Sequence, residues 1–341
     1  MQTITPQDLF NDSRWGDYVL LDVRSPGEHA TGKLPGARSL PLFTDEERAT
    51  VGTLYKQASP DEALLEGLEI AGGKMRWLVE EARRLAPANQ VVVHCWRGGQ
   101  RSGSVVWLLE RAGFEVVQLT GGYKAARHHI RQYLSVDKHH YRVLSGPTGS
   151  GKTPILLAMQ ALGAWVVDLE GLAHHKGSAF GGLGEAAQPS SEEFENRLFA
   201  ALRAIPEGEH VWLEDESRLI GHVYFSDEFY ERLTAAPIVA LEQALDWRVD
   251  HLVDNYARYP KEELAAAFGR IQKKLGGQHF NTALEALETG DFATAARIAL
   301  VYYDKAYNHY GERRNARVLA TVQAVSPDHV EIAKQLIALS L

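Results

Sequence analysis

Two short stretches of the sequence hold residues whose types and spacing can do chemistry. His94-Cys95-Trp96-Arg97-Gly98-Gly99-Gln100-Arg101-Ser102 follows the apolar run 91–93 and leads into a helical pattern near Ser102. A loop from a strand's end into a helix N-terminus turns backbone N–H groups inward. Together with the helix dipole they favour thiolate over thiol at Cys95. Arg97 and Arg101 add positive charge, so the loop reads as an anion cradle beside a nucleophilic sulfur. The second stretch, Gly146-Pro147-Thr148-Gly149-Ser150-Gly151-Lys152-Thr153, fits G-x-x-x-x-G-K-[ST] in full. Its glycines let successive N–H groups converge on phosphate oxygens, Lys152 neutralises their charge, and the Thr153 hydroxyl suits a magnesium ion. Acids at strand ends are natural partners of such a loop: Asp168, and Glu214-Asp215-Glu216 after the run 211–213. The competing role for each acid is to cap the helix that follows it. No motif selects adenine or guanine, so nucleotide hydrolysis does not follow.

Elements that place these loops are legible from periodicity. Runs 18–21, 91–93 and 116–119 read as buried strands, with helical spacing over 61–85 and 102–112. The second half repeats the theme, with strands at 141–144, 165–167, 211–213 and 238–241 and a helix at 154–162. The fold class expected is α/β: an α/β domain over 1–135 carrying the cysteine loop, then a parallel-sheet phosphate-loop domain over 136–341. Residues 124–140 read as a polar, partly helical connector, and 261–310 as a helical C-terminal region. A short strand at 318–322 precedes a last helix, for which Ser326 is the expected N-cap and Pro327 the first helical residue.

Composition narrows the function classes. The chain has 341 residues, 45% hydrophobic and 23% charged, as a folded globular protein has. One Cys excludes a disulfide framework and a multi-cysteine zinc site. No apolar run approaches the ~20 residues that cross a bilayer, and residues 1–8 lack a basic-then-apolar leader, so a cytoplasmic location is expected. The formal charge of −8 lies wholly after residue 139, because residues 1–139 hold equal numbers of acidic and basic side chains. Nucleic-acid binding would therefore rest on local clusters, Arg270/Lys273/Lys274 and Arg313/Arg314/Arg317, rather than on net charge. The adjacent pairs His128/His129, His139/His140 and His174/His175 have no metal-ligand spacing, and no metal site is expected from them.

Two chemistries use a cradle like that of Cys95: chalcogen transfer of the rhodanese type, and the Cys-dependent phosphatase, whose H-C-x5-R string is formally satisfied. Leu20-Leu21-Asp22-Val23-Arg24, Glu28-His29, Gly32-Lys33-Leu34-Pro35-Gly36-Ala37, Leu40-Pro41 and Gly121-Gly122-Tyr123 resemble the rhodanese domain. Sulfur-transferring rhodaneses commonly have four residues between Cys and Arg, and this loop has five. The larger cradle suits a tetrahedral oxyanion, which keeps phosphatase chemistry open, as it does a non-catalytic carrier role.

A rhodanese-like cysteine domain followed by a phosphate-loop domain resembles the bacterial tRNA 2-selenouridine synthases. The likeness extends to Asp45-Glu46-Glu47-Arg48-Ala49, Tyr55-Lys56-Gln57, Asp168-Leu169-Glu170-Gly171, Glu214-Asp215-Glu216-Ser217-Arg218 and Tyr302-Tyr303-Asp304. It implies a transferase that replaces sulfur by selenium at C2 of wobble 2-thiouridine in tRNA. Its co-substrates would be selenophosphate, supplied by selenophosphate synthetase, and geranyl diphosphate, which makes an S-geranylated intermediate. On that reading Cys95, with Arg97 and Arg101, handles selenium as a selanyl-sulfide, and the phosphate loop holds geranyl diphosphate rather than ATP. Trp96 would stack on an anticodon base or pack the loop.

Overall fold

Short runs of Val, Leu and Ile flanked by Gly and Asp become parallel strands, because residues buried on both faces carry no polar alternation. The computed structural model describes residues 2–309 and 317–339. Its chain divides into two units, residues 1–134 with 195–199, and residues 135–194 with 200–341.

In the first unit, strands β1 (Gln2–Ile4), β2 (Val19–Asp22), β3 (Arg38–Ser39), β4 (Gln90–His94) and β5 (Glu115–Leu119) form a parallel sheet. Its order is β1-β5-β4-β2-β3. Val91, Val92 and Val93 at its centre are fully buried. Asp22 pairs in register with His94, so the residues after β2 and the cysteine after β4 share one sheet edge. The span expected as one helix over 61–85 is two, Pro60–Gly72 and Met75–Leu85, broken at Gly73-Lys74, with a further helix, Asp45–Gln57, ahead of them. The stretch 124–140 holds the boundary between the two units, at 134/135, and is more helical than its polarity suggests. Most of it belongs to the helix Gly122–Leu134, whose Tyr123, Ala126, Ile130 and Leu134 are buried at helical spacing beneath the polar residues that dominate its composition.

The second unit has its own parallel sheet: β6 (His140–Ser145), β7 (Trp165–Val166), β8 (His210–Glu214), β11 (Ile238–Glu242) and β12 (Val318–Gln323), in the order β12-β11-β6-β8-β7. β9 (Leu219–Ile220) and β10 (Val223–Tyr224) make a separate antiparallel pair. The helical region comprises Lys261–Leu275, Gly277–Thr289 and Phe292–His309, packed round Leu264, Phe268, Leu287 and Ala299. The last helix, His329–Ile337, is capped by Asp328 and not by Ser326. Asp328 accepts the Val330 N–H at 2.8 Å, while Ser326 Oγ takes the Asp328 N–H at 3.0 Å, which puts Pro327 ahead of the cap. No helix among the described residues is long and apolar enough to cross a membrane.

Gly122 shows how tightly the first unit fixes its cysteine loop. Tyr123 and Lys124 donate their N–H groups to the carbonyls of Cys95 and Trp96, both at 2.9 Å. A Cβ on Gly122, which has φ +58°, would lie 2.4 Å from the Cys95 carbonyl oxygen. Gly122→Ala is expected to cost about 2–4 kcal/mol by strain and backbone displacement. Thermal unfolding against wild type checks this, and an unchanged midpoint would show that the loop yields freely.

Candidate active sites

Cys95 sits directly after β4, buried, where the chain turns into the helix Gln100–Arg111. Burial alone would raise its thiol pKa. The Ser102 hydroxyl and the N–H groups of Arg97, Ser102 and Gly99 outweigh that and hold it below the ordinary value. Cys95 Sγ lies 3.3 Å from Ser102 Oγ, which also lies 3.1 Å from the Gly99 carbonyl. The single hydroxyl proton serves either partner: with a thiol it points at Gly99, and with a thiolate it turns to the sulfur. Gln118 fixes this hydroxyl, its amide donating to Ser102 Oγ at 2.7 Å and to the Gly98 carbonyl at 3.0 Å. Neither Ser102 nor Gln118 stood out in the sequence, although Ser102 closes the loop string and Gln118 is a buried amide in an otherwise apolar strand.

The two loop arginines differ. Arg97 extends from the loop itself, whereas Arg101 pairs with Glu28 at 2.7 Å and is only partly exposed. Arg24 is 1% exposed. It is held by Asp22, by the Gly32 carbonyl at 2.6 Å and by the Tyr123 ring face at 3.7 Å, so it braces the sheet edge and does not reach an anion. Trp96 packs on Tyr123 with ring centroids 5.6 Å apart and keeps 37% of its surface exposed.

In the second unit β6 ends at Ser145 and the phosphate loop turns into the helix Lys152–Ala161. Lys152 Nζ donates to the Gly146 carbonyl at 3.1 Å and the Thr153 hydroxyl to Glu170 at 2.7 Å. Ser150 Oγ is buried without a hydrogen-bond partner. Arg248 clamps the loop from behind, donating to the Thr148 carbonyl at 2.9 Å while its guanidinium pairs with Asp304.

The acids divide by role. Asp168 caps the helix Leu169–Ala173 through the Gly171 N–H at 2.7 Å and also lines the site. Glu214 is fully buried, accepts the Leu169 N–H at 2.9 Å and does not line it. Asp215 accepts the Ser145 hydroxyl at 2.6 Å and does line it. Glu170 and Glu216 face each other across Gly177. Burial and their mutual repulsion push the Glu216 carboxyl well up, and burial raises Glu170 despite Lys152. His251, half-buried beside His329, is pulled down to about 4 by desolvation and by that neighbouring ring, and is a neutral imidazole near pH 7. Glu216 belongs to the acidic run after 211–213, whereas Glu170, His251, His329 and Arg248 carry no motif that marks them as partners of the loop. They come from elements far apart in sequence that meet only in the fold.

Lys152, Thr153, Asp168, Glu170, Asp215, Glu216 and His251 line one end of a cavity of about 810 Å³. The walls then change character, to Phe180, Leu264, Phe268, Leu287, Phe292 and the small face Ala295, Ala296 and Ala299. No group of three or more His, Cys, Asp or Glu among the described residues is arranged to hold a metal ion. Of the basic clusters, Arg270 donates to the Ala179 carbonyl at 2.7 Å and Arg317 to that of Ala236 at 3.0 Å. Arg313 and Arg314 lie outside the described residues.

Both halves of this arrangement match known family models. Residues 5–129 match the rhodanese-like domain and residues 139–331 the tRNA 2-selenouridine synthase AAA domain. The tRNA 2-selenouridine synthase of Sulfurovum sp. is 37% identical over 339 residues, covering 88% of this chain and 90% of that protein. That of Bdellovibrio bacteriovorus is 35% identical over 375 residues, covering 94% and 95%. The chain belongs to the tRNA 2-selenouridine synthase family. The 2-selenouridine synthase resemblance drawn from the loop strings thus holds over nearly the whole chain, and the fold is the expected rhodanese-like unit, phosphate-loop unit and helical C-terminal region.

The thiol environment predicts a pH profile. Alkylation of Cys95 by iodoacetamide should rise with pH to a plateau, with a midpoint below that of a free thiol, and be lost as pH falls through it. Ser102→Ala removes the largest stabilising hydrogen bond and should move the midpoint to higher pH. An unmoved midpoint would assign the stabilisation to the backbone alone.

Proposed function

We propose that the chain converts 2-thiouridine of tRNA to 2-selenouridine in two steps, with allylic alkylation of sulfur in the phosphate-loop unit and selenium delivery at Cys95. The observation that carries the first step is the cavity itself, which has phosphate-binding groups at one end and hydrocarbon-lined walls beyond. A nucleotide presents a polar base and ribose to such walls, whereas geranyl diphosphate presents a diphosphate to the loop and a ten-carbon tail to the apolar arm. Each buried methylene of that tail favours binding by about 0.8 kcal/mol.

In the first step the sulfur attacks the allylic carbon, the carbon–oxygen bond breaks with its electron pair going to diphosphate, and the base loses its N3 proton. Loop N–H groups and Lys152 lie where that negative charge develops. Were magnesium to accompany the diphosphate, the Thr153 hydroxyl and Asp215, which both line the cavity, would hold it, and it would supply charge neutralisation. In the second step selenium of selenophosphate adds to C2 and geranylthiol leaves. Water then cleaves the selenium–phosphorus bond, giving phosphate and selenouridine. The N–H cradle at Cys95 suits the phosphate oxygens, and the stabilised thiolate lies beside the chalcogen. Selenophosphate from selenophosphate synthetase is the donor this reading requires.

Tyr307, whose hydroxyl lies 3.2 Å from Ser145 Oγ, marks the loop end of the helix Phe292–His309. Phe292 lies about 22 Å away along its axis, at 1.5 Å per residue. Ala299 falls between them. Lys152→Ala should lower geranylation of 2-thiouridine tRNA roughly 100-fold or more. Ala299→Phe should abolish use of geranyl diphosphate while dimethylallyl diphosphate, one isoprene unit shorter, is still used. Nucleoside mass spectrometry reads both, and normal geranylation by the Lys152 variant would refute the role of the loop. Cys95→Ser should accumulate geranylated tRNA and make no selenouridine, and normal selenation by it would refute the role of the thiol.

A further inference from the structure

The cysteine unit holds a cavity of its own, which the chemistry at Cys95 and the phosphate loop leave without a role. It is a groove of about 540 Å³ between the helices Pro60–Gly72 and Gln100–Arg111, with a floor that includes Leu42, Phe43 and Val105. Its wall is almost wholly apolar, and it opens among exposed large side chains: Leu64, Leu68 at 55%, Met75 and Trp107 at 53%. Exposed apolar surface of this extent on a folded unit marks a binding site more often than chance.

Three features say what fills it. The first is position: Gln100, Arg101 and Gly103 are among its lining residues. They flank Ser102, whose hydroxyl contacts the Cys95 sulfur at 3.3 Å, so one helix serves both the groove and the cysteine loop. The second is glycine. Gly67, Gly72 and Gly103 line the groove from within helices, where Gly costs stability relative to Ala. A Cβ at Gly72 or Gly103 would meet nothing within 4 Å, so packing does not require these glycines and the space they leave stays open. The third is polarity: Arg101, paired with Glu28, is the one charged residue among the groove's lining, and most of the rest is hydrocarbon.

We infer that this groove binds the geranyl tail of S-geranylated tRNA while C2 of the base faces the Cys95 loop. The inference rests on the reading that sulfur is geranylated before selenium arrives. A tail seated in the phosphate-loop cavity to form the carbon–sulfur bond must be out of water again when that bond breaks at the other site, and this groove supplies the second apolar surface. The occupant is therefore an acyclic hydrocarbon of about ten carbons attached to a nucleobase. The exposed Arg97 guanidinium remains available to the selenium donor.

The test separates the two half-reactions on the full-length chain. Purified S-geranyl-2-thiouridine tRNA and S-methyl-2-thiouridine tRNA are each supplied with selenophosphate, and selenouridine is quantified. Leu68→Glu puts a charge in the exposed part of the groove, and Gly103→Leu fills the end beside the cysteine loop. Both variants should lose at least tenfold in kcat/KM on the S-geranyl substrate and less than twofold on the S-methyl one. Both should geranylate 2-thiouridine tRNA at the wild-type rate, which also reports that the chain is folded. Equal loss on the two substrates, or no loss on the S-geranyl one, overturns the inference. So does a change of oligomeric state in Leu68→Glu by sedimentation with S-geranyl turnover unaffected, which would make the groove a protein interface. If wild type forms no S-geranyl tRNA and does not consume it when supplied, the underlying reading of geranylation fails instead.

Discussion

All strands of a parallel sheet end on the same edge, and both candidate sites depend on that constraint. Each loop leaving that edge must turn into a helix, and the turn presents N–H groups that no backbone carbonyl satisfies. An anion satisfies them. In the first unit the N–H groups of Arg97, Gly99 and Ser102 point at the Cys95 sulfur and favour its thiolate form. In the second, the loop after β6 offers the same kind of groups to a phosphate. β8 beside it delivers its acids to the same edge, with Leu144 in register with Glu214.

Charge then sorts the acids. A carboxylate buried next to another is costly, and the fold meets this in different ways. Asp168 takes a helix N–H group, Asp215 a hydroxyl, and the carboxyls of Glu170, Glu216 and the fully buried Glu214, which accepts one helix N–H, are pushed toward the neutral form. The pocket that Lys152 lines is thus less negative than its acids suggest. The net charge of −8 is distributed with the same economy, because the cysteine unit is close to electroneutral.

What the sequence made legible was local. The cysteine loop, the phosphate loop and the strands leading into them follow from runs of Val, Leu and Gly whose meaning needs only a few neighbours. The extent of the helix in the 124–140 segment is hidden because Ala126, Ile130 and Leu134, which bury its inner face, are few among polar residues. Ser326 was misread because Asp328, two residues on, makes the better cap. Gln118, Glu170, Arg248 and His251 were invisible as site residues, since each matters only through a partner from 16 to 100 residues away. The apolar arm of the cavity was equally hidden: Ala295, Ala296 and Ala299 look like ordinary helix formers until Phe180, Leu264 and Leu287 are placed opposite them.

The central claim is that the phosphate loop serves a hydrocarbon-tailed diphosphate. Isothermal titration of the full-length chain with geranyl diphosphate, inorganic diphosphate and ATP tests it most directly. The account predicts that geranyl diphosphate binds at least 100-fold more tightly than inorganic diphosphate, with the negative heat-capacity change of apolar burial, and that ATP gains no comparable advantage. Equal affinity for geranyl and inorganic diphosphate, or ATP binding as tightly as geranyl diphosphate, would contradict it.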